Sequence, residues 1–181
     1  MSILFVYHVS SAQLPTKVLT HFEDIASTLA EQGIGFERMS AVVPVTAGAP
    51  HDEVLSAYRE QLDGLMTERG HVAADVISVD AHHPHKDPLR GELLDEHQYG
   101  ADQVRFFVAG RALYSLHIGD FIYAVQCEKN DLISVPAGTR QWFDIGEHPR
   151  VIAIRLFSSA EGQAPQPTGE SFASRFPGLD D

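Results

Sequence analysis

The sequence predicts an all-β core with flanking helices (α+β), closed as a double-stranded jelly-roll barrel. Three observations carry this expectation. Between Leu94 and Phe157 five or six short β-prone runs follow one another at the spacing of a small sandwich or barrel. Tight-turn signals separate them, above all Gly119-Asp120 between Ala112–Ile118 and Phe121–Cys127. Helical periodicity is confined to the residues before Leu94.

Taken in order, Ile3–Val9 reads as an edge strand added to the barrel. From Pro15 or Thr16 a helix is expected, because Val18, Phe22, Ile25 and Leu29 recur at helical spacing up to Gly33. Ile34–Met39 is a short strand, and Ala41–Pro50 is a proline-rich loop. Asp52 caps a second helix whose buried stripe is Val54, Leu55, Tyr58, Leu62 and Leu65. Asp75–Asp80 alternates as a strand. Asp87-Pro88 opens a short helix with Leu89 and Leu93 facing inward. Val104–Val108 and Ala112–Ile118 then read as two strands joined by Ala-Gly-Arg. Phe121–Cys127, Leu132–Val135 and the closing run Val151–Phe157 complete the set. No linker divides the chain, so one domain is expected over 1–181: wrapping at 1–86, barrel core at 87–157, polar tail at 158–181.

Length and charge narrow the function classes. The 181 residues, 44% hydrophobic, suffice for one real core. Thirteen basic against twenty-five acidic residues give −12, a charge that repels nucleic acid and anionic membrane surfaces. No apolar run approaches the roughly 20 residues of a membrane span. The N-terminus MSILFVYHV has no basic leader and reads as a strand, so a cytoplasmic location is expected. The single cysteine, Cys127, rules out an internal disulfide and reads as a packed thiol. The expected partner is a small molecule, bound by a monomer or homodimer. His82-His83-Pro84-His85 crowds three imidazoles, but Pro84 and solvated flanks make it a surface loop.

The strings VRFFVAGRALYSLHIGD, CEKNDLISVPAGT, QWFD and AIRLF resemble acireductone dioxygenases, a family of the cupin superfamily. The resemblance is strong over 86–157 and looser before it. It implies Fe or Ni held by a His-x-His-x3-Glu run and a later His before Trp-Phe-Asp. The matching positions here are His97, Tyr99, Gln103 and Gln141, so only His97 keeps its type. Phe143, Arg155 and Leu93 match positions near the substrate. Gln163 stands where the family usually has Trp, in a polar, extended tail.

Gln and neutral Tyr are poor donors for a divalent transition ion. The four residues, all with hydrogen-bonding ends, predict a metal-free acid–base set with no cofactor. His97 is the base, Tyr99 the acid, and Gln103 and Gln141 stabilise charge. Arg105, two residues after Gln103, shares its face and would bind substrate with Phe143 and Arg155. For Arg155 the expected partners are Asp144 or Asp102. The expected reaction is isomerisation, cyclisation, dehydration or C–C cleavage of a small enolisable metabolite, with a setting in specialised biosynthesis. One alternative is a metal-dependent Fe or Ni dioxygenase with ligands recruited differently, such as His97 with Tyr99 or His117. The other is a non-catalytic ligand-binding cupin.

Overall fold

A computed structural model describes all 181 residues. Eleven strands and four helices occur in the order β1 (Ile3–His8), β2 (Lys17–Leu19), α1 (Phe22–Ala30), β3 (Gly35–Arg38), α2 (His51–Ala57), α3 (Arg59–Arg69), β4 (Ala73–Val79), α4 (Lys86–Leu94), β5 (His97–Gln98), β6 (Gln103–Ile118), β7 (Phe121–Glu128), β8 (Asp131–Val135), β9 (Arg140–Asp144), β10 (Val151–Phe157) and β11 (Gln166–Pro167). No helix is long and apolar enough to cross a membrane.

The barrel is built around β6. Its first half pairs with β8 and β10, and its second half with β7 and β9. One face of the barrel therefore reads β4-β10-β6-β8-β3, and the other β11-β5-β9-β6-β7-β1-β2. Alternation sorts the side chains. Phe107, Tyr114, Phe143, Val151 and Ala153 point between the two faces, into the largest apolar cluster. Val104, Phe106, Ile152, Ile154 and Leu156 point outward and are covered by Val54 of α2, Leu62 and Leu65 of α3, and Tyr58 between the two helices. The opposite outer face, with Leu113, Ile122 and Trp142, is covered by Phe176 of the C-terminal segment. Cys127 lies fully buried in the central cluster, where burial pushes its thiol pKa well up.

Three expectations are corrected. Val104–Val108 and Ala112–Ile118 are not two strands with a turn but one strand of 16 residues. Ala-Gly-Arg is a bend within it, at Gly110 with φ +67° and a register shift opposite Ile152/Ala153. The bend lets one strand serve both faces. Val18 belongs to β2, half exposed, and α1 begins only at Phe22; β2 takes the edge expected for β1. The stripe from Val54 to Leu65 is interrupted at Tyr58, which ends α2 and precedes α3. The polar, extended tail is tied to the barrel. Gln166–Pro167 pairs with Gln98–His97, and Phe172 packs edge-on against His117 at 4.9 Å.

A β-carbon at Gly110 would stand 1.6 Å from the Arg150 carbonyl oxygen, on backbone already at positive φ. Gly110→Ala is therefore expected to cost about 3 kcal/mol or more, read as loss of the cooperative thermal transition.

Asp144 ends the strand that carries Gln141. It is 1% exposed and accepts from Arg90 Nε at 2.9 Å and from the Gly146 and Leu179 amides at 2.9 and 2.8 Å. Burial alone would raise its pKa, but these donors outweigh burial and hold it below the usual carboxylate value. A carboxyl depressed on folding contributes stability that is present above its unfolded pKa, about 4, and is lost as pH falls through the folded value. Arg90→Ala should cost about 2 kcal/mol at neutral pH, less than a fully buried pair because Arg90 is partly exposed. The same variant should flatten the acid-side loss, readable in urea melts at pH 7 and pH 3.

Candidate active site

The four positions singled out by sequence converge at one end of the bore. β5 places His97 directly opposite Gln141 of β9. Gln141 sits opposite Leu116 on β6, one inward position from Tyr114. Gln103 Nε2 donates to Gln141 Oε1 at 2.9 Å and to Tyr114 Oη at 3.1 Å. Tyr114 Oη donates to the same Gln141 oxygen. The Tyr99 ring meets His97 edge-on at 5.2 Å. All of these side chains are at most 3% exposed.

Arg105 is the centre of this arrangement. It is 0% exposed and lies over the Tyr114 and Phe143 rings at 4.2 and 4.6 Å. Its Nε and Nη2 make only long contacts, to Gln103 Oε1 at 3.4 Å and Gln141 Oε1 at 3.3 Å. Its Nη1 has no partner, and none of the ion pairs in the chain includes it. A guanidinium in that state leaves a buried positive charge without a counter-ion.

His97 carries the second unpartnered atom. Its Nδ1 lies 2.6 Å from the Asp95 carbonyl, which can only accept, so Nδ1 bears the proton. Nε2 is then a bare lone pair, buried and without a partner. Burial lowers the His97 pKa, and the nearby Arg105 and Arg155 cations push the same way against the Asp95 contact. The ring is neutral at pH 7. Tyr114, fully buried, has its phenol pKa raised and stays protonated.

Arg155 pairs with neither Asp144 nor Asp102. Its partner is Asp75 on the neighbouring β4, with Nε and Nη2 on the two carboxylate oxygens at 2.6 and 2.8 Å. The register explains it, because Arg155 stands directly opposite Asp75. Arg155 Nη1 also donates to Tyr99 Oη at 3.0 Å, and Gln163 Nε2 donates to Asp75 at 3.0 Å. Leu93 is buried in the central cluster. His117 is not on this wall. It shares the outward register of Ser115 and Trp142, and its Nδ1 meets Glu96 at 2.9 Å. Tyr114 escapes the sequence reading. Its signal was available, since it alternates with Ala112 and Leu116 on the inward face of β6.

The comparisons bear on what this geometry serves. The model of the ARD/ARD' family matches residues 6–165. The chain belongs to the ARD/ARD' family. An acireductone dioxygenase of Pseudomonas syringae pv. syringae is 62% identical over 181 residues, all of both chains, and one of Stutzerimonas stutzeri is 61% identical over the same span. The solved acireductone dioxygenase from Bacillus anthracis, with a cadmium ion in its active centre, superposes with a TM-score of 0.77 at 26% identity. The match covers 91% of this chain and 97% of that one, and makes the barrel a cupin.

These findings correct the expected reaction and cofactor. A metal-free lyase, isomerase or cyclase with no cofactor is overturned by full-length relatives that are dioxygenases and by a relative with metal in its active centre. His97 Nε2 alone is free to ligate. The Gln141 oxygen is already taken by Gln103, Tyr114 and Arg105, and the Gln103 oxygen faces the Arg105 Nε. No group of three His, Cys, Asp or Glu side chains converges here or elsewhere. The residues present do not fit a divalent transition ion.

Proposed function

We propose that this chain is a dioxygenase of the acireductone type, acting on a small enediol bound in the bore as its anion. The observation that carries the reading is Arg105, a buried guanidinium with a free Nη1 in a chain about 60% identical to acireductone dioxygenases. A deprotonated enediol supplies the missing counter-charge. It is also the electron-rich form that O₂ oxidises.

The residues divide the work as follows. Arg105 holds one enediolate oxygen through Nη1. His97 Nε2, a neutral lone pair, accepts the enediol proton. Gln103 and Gln141 fix the guanidinium in place, and Phe143 forms an apolar wall against the carbon chain. Arg155, already neutralised by Asp75, orients Tyr99 rather than carrying substrate charge. By resemblance the dioxygenase reading brings Fe or Ni with it, and Tyr99, Gln103 and Gln141 fit such an ion poorly. The test is an oxygen electrode with an acireductone-type enediol and protein supplied with Fe or Ni. Enzyme-dependent uptake of one O₂ per enediol is expected. Consumption of enediol without O₂ would overturn the proposal.

A further inference from the structure

A groove of about 850 Å³ opens at the end of the barrel where β6 bends, opposite the end that carries His97. Its lining includes Val45, Val108 and Ile145. Its rim gathers Arg111, Lys129 and Arg150, three of the thirteen basic residues of a chain whose net charge is −12.

Of the three carboxylates of the groove, one is neutralised, and the other two keep their charge but are turned to backbone amides. Glu128 is contacted by the amino terminus, Asp80 accepts the His82 amide at 2.9 Å, and Asp180 accepts the Glu147 amide at 3.0 Å. The cations are less engaged. Lys129 and Arg150 join no ion pair, and Arg111 reaches Asp180 only at 3.8 Å.

The backbone that presents them is fixed. Lys129 precedes Asn130, a non-glycine residue at φ +80°. Asn130 donates to Phe107 O at 2.9 Å, and accepts from the Met39 and Ala41 amides at 2.9 and 2.8 Å. Arg111 and Arg150 are locked together where the Arg111 amide meets the Arg150 carbonyl at 3.3 Å beside Gly110.

We infer that this groove is a second binding site, for a small multivalent oxyanion. Three cations on fixed backbone match two or more charges on one ligand, and the acidic remainder of the surface repels the same ligand elsewhere. Phosphate and polycarboxylate share this chemistry.

Calorimetric titration of the full chain at low ionic strength, with pyrophosphate and with citrate, distinguishes them. Saturable binding of one probe is expected, the tighter probe naming the class. Lys129→Gln and Arg150→Gln should each weaken it about tenfold, and added salt should weaken it further. Both side chains are exposed, so these variants fold, and enediol turnover should not change. Arg105→Met should leave the binding intact. No saturation up to about 10 mM probe, a millimolar limit for a real site, overturns the inference. So does binding indifferent to both rim variants, or binding lost with Arg105.

Discussion

An Arg105→Met protein is expected to melt above the wild type while turning over enediol at least about 10²-fold more slowly. Both halves follow from one fact, a fully buried guanidinium with no carboxylate partner. Replacing buried charge with an apolar side chain of similar length is often neutral or stabilising by about 1–4 kcal/mol. The bonds given up are long, at 3.3 and 3.4 Å, and Gln141 keeps Gln103 and Tyr114 as donors. Against this stands the loss of stacking on Tyr114 and Phe143, up to about 2 kcal/mol for a desolvated pair. The balance favours methionine by about 1 kcal/mol. Activity moves the other way, because one charge-stabilising donor is worth about 10²–10³ in turnover. Arg105→Lys separates charge from shape: it keeps the cation, loses the planar fork, and should be less stable than methionine and still slow. Should the methionine protein melt well below wild type at unchanged turnover, Arg105 would be a structural residue.

How much of this was legible in the sequence depends on how far each partner lies along the chain. The hairpin at Gly119-Asp120 needs only its neighbours, and it pairs Ile118 with Phe121 as read. The convergence of His97, Gln103, Arg105 and Gln141 was legible from matched strings and strand alternation. The partner of Arg155 was not. Asp75 is 80 residues away, and only the pairing of β10 with β4 brings it opposite. Gly110 was misread for a similar reason. A glycine at positive φ serves a turn or a bend equally well, and what decides is that the partner changes there: β10 pairs as far as Gly110, and β7 takes over from Arg111. Helical spacing from Val18 to Leu29 was genuine only from Phe22, because Lys17–Leu19 is claimed by β1. The cofactor was misjudged at another level. Donor chemistry at three positions spoke against a metal, whereas identity over the full chain points to a class of enzyme whose solved relative contains one.

Replacement of His97 by alanine is expected to slow enediol turnover by about 10²–10⁴-fold with the fold intact, the range of a lost general base. The ring contributes little to the barrel beyond its contact with Tyr99 and the Asp95 bond, so circular dichroism and the thermal midpoint should change little. His97→Gln is the sharper variant. It restores a polar side chain of similar reach that cannot take up a proton, and it should be as slow as alanine if proton transfer is the role. The pH profile gives the sign. Burial lowers the folded His97 pKa below that of a free imidazole, so the base form persists into mildly acid solution. Turnover should stay level from neutral pH down through about 6.5, the free histidine value, and fall only as pH drops through the lower folded value. Stability follows the same ring. The depressed pKa contributes stability that is present above about 6.5 and is lost as pH falls from there toward the folded value, because the unfolded chain takes the proton first. His97→Gln should abolish that part of the loss. A profile for His97→Gln identical to wild type in both turnover and stability would remove His97 from the proton path and leave Arg105 as the only group acting on the enediol.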